Sequence, residues 1–201
     1  LGTPLSFSVP TGNFGDVFAG YAAKQMGLPI DRLVVATNVN DILARALNQG
    51  QYVVDKVIPT ATPSMDIQIS SNFERLLFDL YGRDGKALAG TMQKFEETGA
   101  LNLSEEMRAK ASRDFMAERV DNDRMMQAMG WAHDQAGQLI DPHTAVGLAA
   151  ARAREAELGG PIVTLATAHP AKFPEAVERA TGMRAGLPRR VAHLFDREEF
   201  F

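Results

Sequence analysis

The residues best suited to chemistry stand in one short run, Ser8-Val9-Pro10-Thr11-Gly12-Asn13-Phe14-Gly15-Asp16. Gly12 and Gly15 permit close approach and backbone angles that other residues resist, and Asn13 adds a side-chain amide between them. If a helix begins here, its first N–H groups have no partner within the helix. Such groups attract an anion, for instance a phosphate. Asp16 pulls the other way: its carboxylate repels a bare phosphate, and as an N-cap it would satisfy the same N–H groups itself. A phosphate cradle and an empty strand-to-helix turn both fit this stretch. The Gly-x-Gly-x-x-Gly spacing of a nicotinamide site is absent.

A second run, Thr167-Ala168-His169-Pro170-Ala171-Lys172-Phe173, offers a hydroxyl, an imidazole and a cation. Thr167 could exchange a hydrogen bond with a ring nitrogen, or simply bond local backbone. His169 is held extended by the proline after it and could line a site, as could Lys172 as an anion contact. His143 falls in the first turn of a helix, where the dipole disfavours an imidazolium. Histidines 133, 143, 169 and 193 are too scattered for a metal-ligand pattern, so no metal is expected. Ser64, Ser70 and Ser71 lack an adjacent base, which argues against a Ser-His-Asp mechanism.

The elements that must position these residues read as α/β. Pro4–Val9 alternates like a partly buried strand, and Phe18, Tyr21, Ala22 and Met26 recur at helical spacing before Gly27 and Pro29. Arg32–Thr37 reads as a fully buried strand. Asn38–Asp41 then turns into a short helix ending near Gly50, and Tyr52–Ile58 is extended up to Pro59. This alternation predicts a parallel sheet with crossover helices.

Residues 60–140 break the rhythm. Helices are predicted around Phe73–Tyr81, around Leu88–Phe95, across Met107, Ala111, Phe115 and Met116, and around Met125–Trp131, with methionines and aromatics as core. This segment reads as a mainly helical insertion between α/β halves at 1–60 and 141–185. Asp141-Pro142 opens an alanine-rich helix running to Glu157 with an acidic cap and proline at the first helical position. Pro161–Ala166 is a third strong strand, and 186–201 a peripheral tail. In open α/β sheets ligands bind beyond the carboxyl ends of strands. The strand ends at Val9 and Ala166 are the two followed by unusual residues.

Composition narrows the classes. Lys and Arg total 21 against 25 Asp and Glu, a formal charge of −4, which suggests neither nucleic acid nor an anionic membrane as partner. There is no cysteine, so disulfides and thiolate chemistry are excluded. No apolar run reaches the roughly 18–20 residues that cross a bilayer, and no secretory signal opens the chain. A cytoplasmic location is expected. Leu1 is not an initiator methionine and stands a few residues from a strand, so the chain is expected to be part of something longer.

Six strings together carry a resemblance: Val9–Asp16, Ala36–Asp41, Pro63-Ser64-Met65-Asp66-Ile67, Ser71-Asn72-Phe73-Glu74-Arg75, Pro142-His143-Thr144-Ala145 and Thr167–Phe173. In this order, from residue 5 to about 195, the chain resembles bacterial threonine synthase, and specifically its C-terminal part. The resemblance implies a pyridoxal 5′-phosphate enzyme of the tryptophan-synthase-β fold type (fold type II). Such an enzyme converts O-phospho-L-homoserine and water to L-threonine and phosphate. It implies that Gly12, Asn13, Phe14 and Gly15 hold the cofactor phosphate, with Asp16 a normal member of the motif. Thr167 would partner the pyridine nitrogen, and Thr11, His143, His169 and Lys172 would lie near substrate or pocket. Monomer and homodimer both remain open.

One part of the family pattern is missing. The Schiff-base lysine of the family lies in a Phe-Lys-Asp context N-terminal to everything here, with a Ser-Gly-Asp-Thr-Gly loop that handles substrate. Lysines 24, 56, 86, 94, 110 and 172 are none of them followed by aspartate. The chain is therefore expected to carry half of a cofactor pocket without the covalent anchor, and to be inactive alone. Two alternatives stand beside this one. Another pyridoxal-phosphate β- or γ-replacement or elimination enzyme would differ in the missing substrate loop. A non-catalytic anion-binding module would be a mature protein of about this length.

Overall fold

The computed structural model of the chain describes residues 3–199. In chain order the elements are β1 (Leu5–Pro10), α1 (Gly15–Gln25), β2 (Ile30–Thr37), α2 (Ile42–Gln49), β3 (Gln51–Val53), α3 (Phe73–Leu80), α4 (Gly85–Thr98), β4 (Ala100–Asn102), α5 (Glu105–Ala111), β5 (Phe115–Arg119), α6 (Asn122–Ala136), α7 (Pro142–Arg154), β6 (Ile162–Thr164) and α8 (Pro174–Thr181). Four strands form a parallel sheet in the order β5-β2-β1-β6. Thus β1, which leads into the Gly12–Gly15 turn, lies between β2 and β6. β3 and β4 make a separate antiparallel pair.

Burial follows the pleat of β2. Leu33 and Val35 belong to the core on one face, with Phe14, Val17, Leu43 and Phe73. Val34 and Ala36 belong to the core on the other face, with Met125, Met129, Val146 and Val177. A strand whose neighbouring residues feed opposite cores must be apolar throughout, and Leu33–Ala36 is. Helices therefore cover both faces of the sheet. The helix α7 lies tight against β1: a Cβ on Gly147 would sit 3.0 Å from the Pro10 ring and 3.1 Å from Thr164. Close approach also lets the Ser8 hydroxyl donate to the Gly147 carbonyl at 2.7 Å in a buried bond.

Several expectations are corrected. Phe115 and Met116 lie not on a helix but in β5, which pairs with β2 from Leu33↔Phe115 to Thr37↔Arg119. The segment 60–140 thus supplies an edge strand of the main sheet as well as helices. Helical spacing from Met107 to Phe115 is coincidental, because the helix stops at Ala111 and the chain turns at Ser112–Asp114. The extended stretch after Tyr52 is a strand only over Gln51–Val53, where β4 offers a partner. The helix α7 gives way at Glu155–Glu157 to a 3₁₀ turn. Trp131 is 39% exposed, not core, with the Arg152 guanidinium 4.1 Å over its ring.

The expected tail at 186–201 carries two short 3₁₀ turns, at Arg189–Val191 and Leu194–Asp196, and its last two residues lie outside the described ones. Among the described residues no helix is long and apolar enough to cross a membrane.

Candidate phosphate cradle and its neighbourhood

The turn after β1 is built around a left-handed residue, and that residue is Phe14 (φ 64°) rather than either glycine. A bulky side chain in this region costs of order 1–3 kcal/mol and persists only where its surroundings hold it. They do so here. The Phe14 ring is fully buried, edge-on to Phe73 at 5.3 Å and tilted against Phe115 at 5.6 Å. The glycine requirement falls instead on Gly12, where a Cβ would lie 2.7 Å from the Ser64 carbonyl oxygen. Gly15 is roomy, its nearest foreign atom being Asn72 Nδ2 at 3.6 Å.

Phe14 is the N-cap of α1 and no side chain caps it. Asp16, exposed in the first turn, does not fold back onto the helix start, which corrects the possibility that it satisfies those N–H groups itself. Among the described residues, the N–H groups of Asn13, Phe14, Gly15 and Asp16 meet no acceptor. Asn13 accepts from Ser71 through Oδ1 at 3.4 Å, and its Nδ2 donor has no partner among those residues. A left-handed residue ahead of a helix, with successive unpaired N–H groups, has the makings of an anion nest. Thr11 is spent locally: buried, it donates to the Val9 carbonyl at 2.6 Å.

The loop that backs Gly12 is held by residues beyond β2. Asn38 Nδ2 donates to Asp66 Oδ1 at 2.7 Å and to Thr62 Oγ1 at 2.9 Å. Asn40 Nδ2 donates to the Ile58 carbonyl and to Asp66, and Asp66 also accepts from Thr60 N–H and hydroxyl. This polar network pins residues 58–66, and with them the Ser64 carbonyl, against the turn. Sequence reading missed Asp66 as its hub. The signal was present, in two asparagines right after a buried strand and an aspartate after a threonine-rich loop.

Beyond β6 the chain pairs once more with β1, Leu165 N–H donating to the Ser8 carbonyl. Thr167 follows, exposed, three residues past the end of β6, the strand that pairs with β1. Its N–H donates to Thr144 Oγ1 at 3.2 Å. Thr144, in the first turn of α7, donates its hydroxyl to Asp141 Oδ2. Asp141 is fully buried; it also accepts from the N–H groups of His143 and Thr144 and from His143 Nδ1 at 2.9 Å. Burial works against its ionisation, but the hydrogen bonds from the His143 ring, the Thr144 hydroxyl and the His143 N–H prevail and hold its carboxyl below the ordinary value. An ionised carboxylate only accepts, so Nδ1 of His143 carries the proton. The buried Nε2 has no partner among the described residues, and the ring leans on Phe173 at 4.8 Å.

His169 is extended (φ −84°, ψ 137°), as the following proline requires, but its exposed ring accepts from Ala171 N–H and caps its own 3₁₀ turn. Lys172 is exposed on a surface depression shared with Thr60, Pro63 and Phe173. The structure thus brings the Gly12–Asp16 turn and Thr167 to adjacent strand ends. His143 precedes Thr144, the partner of the Thr167 N–H, and its ring lies against Phe173, the residue after Lys172.

An uncapped helix start at the carboxyl end of an inner parallel strand is the arrangement in which open α/β proteins place ligand-binding turns. Comparison with known proteins gives the family. Residues 144–201 match the family model described as "Threonine synthase, C-terminal". The threonine synthase of Pseudomonas aeruginosa is 49% identical over 203 residues, which cover 99% of this chain and 43% of that protein. The crystal structure of the pyridoxal-phosphate-bound threonine synthase of Brucella melitensis superposes with a TM-score of 0.93 at 48% identity, covering 98% of this chain and 42% of that one. The yeast enzyme gives 0.91 at 38% identity, covering 98% and 43%. The chain belongs to the threonine synthase family and corresponds to its C-terminal part. It spans less than half the length of these relatives.

Proposed function

We propose that the native protein of which this chain forms a part is a threonine synthase, a carbon–oxygen lyase that turns O-phospho-L-homoserine and water into L-threonine and phosphate. Pyridoxal 5′-phosphate is its cofactor, in a fold type II arrangement and a cytoplasmic setting. The observation that carries this reading is the run of N–H groups from Asn13 to Asp16 without an acceptor among the described residues, in a chain 49% identical to the Pseudomonas aeruginosa threonine synthase over 99% of its length. The fit is chemical: a dianionic phosphate needs several converging donors, and the N–H groups of Asn13–Asp16 have no acceptor among the described residues. Gly12, Asn13, Phe14 and Gly15 hold the phosphate, Phe14 through its backbone because its ring is buried in the core. One exposed carboxylate, Asp16, is outnumbered by these donors.

Thr167 offers its hydroxyl to the pyridine nitrogen. A neutral hydroxyl leaves that nitrogen without an enforced charge, unlike a carboxylate. When bound, the cofactor supplies the electron sink, and the protein supplies orientation. His143, with its unpartnered Nε2, is a pocket residue, and Thr11, His169 and Lys172 border the site.

The covalent lysine belongs to the remaining length of the protein. Lys24 is occupied by Asp114 at 2.8 Å and the Asp31 carbonyl, and Lys110 by Glu106. Native-length protein incubated with stoichiometric pyridoxal phosphate, reduced with borohydride and digested should carry a single modified lysine outside residues 1–201. It should also release phosphate from O-phospho-L-homoserine. A stoichiometric adduct on Lys172, or on any other lysine of this chain, would overturn the assignment.

A further inference from the structure

We propose that Asp141 and Thr144 are positioning residues: the buried carboxylate orients the Thr144 hydroxyl, which holds Thr167 in place to meet the ligand ring. The proposal rests on Thr167 being the partner of the pyridine nitrogen. Thr167 lies past the last residue of β6, where the ladder to β1 has ended. Its N–H donates to Thr144 Oγ1, and its own hydroxyl has no partner among the described residues. That tie is directional. A hydroxyl has one proton, and Thr144 gives it to Asp141, so a lone pair is left facing the Thr167 N–H. Asp141 is in turn immobilised by two helix-start N–H groups and by His143 Nδ1. The chain of bonds runs from a rigid helix start to an exposed strand end. Among the described residues none of these hydrogen bonds is made to Gly12–Gly15, so the two halves of the ligand are served by separate sets of hydrogen bonds.

That separation makes the proposal testable without turnover. Pyridoxine 5′-phosphate has ring and phosphate but no aldehyde, and so forms no bond to a lysine. Native-length protein freed of cofactor is titrated calorimetrically with this probe and with inorganic phosphate. Thr144→Val should weaken pyridoxine phosphate roughly tenfold, the factor that one hydrogen bond of about 1.4 kcal/mol represents, while leaving inorganic phosphate unchanged. Thr144→Ser should restore binding, and adding Thr144→Val to Thr167→Val should cost nothing further. The proposal is overturned if Thr144→Val binds as wild type, if both probes weaken together, or if the loss is as large in the Thr167→Val background. If Thr167→Val itself binds pyridoxine phosphate as wild type does, the ring assignment of Thr167 fails and the positioning role fails with it. A loss in Thr167→Val with none in Thr144→Val removes the positioning role alone.

Discussion

Two helices begin on either side of the same strand end, and they treat their first N–H groups in opposite ways. At α7 the start is closed. Asp141 sits fully buried over it, accepting two backbone N–H groups, a hydroxyl and an imidazole. At α1 the start is open. Its N-cap is a phenylalanine in the left-handed region, and no side chain caps it, Asp16 in the first turn included. A protein can satisfy a helix terminus with its own anion or leave it for another's. This one does the first at α7 and, in the function proposed here, the second at α1. The strain at Phe14 is offset by burying its ring, so core packing holds the open turn in shape.

The sharpest way to break this contrast is to unseat Asp141. Asp141→Ala leaves a buried imidazole, a hydroxyl and two N–H groups without their acceptor, and should cost about 3–5 kcal/mol in urea unfolding. Acid should act on the same group. Its carboxyl lies below the ordinary value of 3.8 when folded, so its contribution is fully present above that value and is lost as pH falls through the lower folded one. Asp141→Asn should flatten the acid limb of a stability–pH curve, and an unchanged limb would assign the loss to other carboxylates.

At the open end the two glycines should separate. Gly12→Ala meets the Ser64 carbonyl at 2.7 Å and should cost about 1–3 kcal/mol with a loss of phosphate affinity. Gly15→Ala, with 3.6 Å of room, should be near neutral in the same thermal melts. Asn13→Ala should lower affinity for the phosphate group by about 1–3 kcal/mol, read by calorimetry, because it removes a free donor to a charged ligand. The smallest effect belongs to Asp16→Asn. It should raise phosphate affinity by about twofold, the size expected of one exposed charge, and a fall in affinity would show the carboxylate contributing to the site.

The parallel sheet was legible because its strands are either alternating or wholly apolar, as at Pro4–Val9 and Arg32–Thr37. So were the start of α7, from Asp141-Pro142, and the placing of the Gly12–Gly15 turn at a strand end. β5 was not legible. Phe115-Met116 continues the helical spacing of Met107 and Ala111, and only pairing with β2, distant in sequence, makes it a strand. The site shows the same limit. Residue types announced the cradle, but which residue takes the left-handed angle depends on a ring packing against Phe73 and Phe115. The bond from Asp141 to Thr144 is local to the α7 start, but that from Thr144 to Thr167 joins residues that meet only once α7 lies against β6.

The central claim is that the α1 start is open to an outside anion while the α7 start is closed. Amide proton and nitrogen shifts, followed as inorganic phosphate is added to selectively labelled native-length protein, test it directly. The N–H resonances of Asn13, Phe14, Gly15 and Asp16 should move downfield together and saturate, while those of His143 and Thr144 stay in place. Saturable movement at His143 and Thr144, or none at Asn13 to Asp16, would contradict the account.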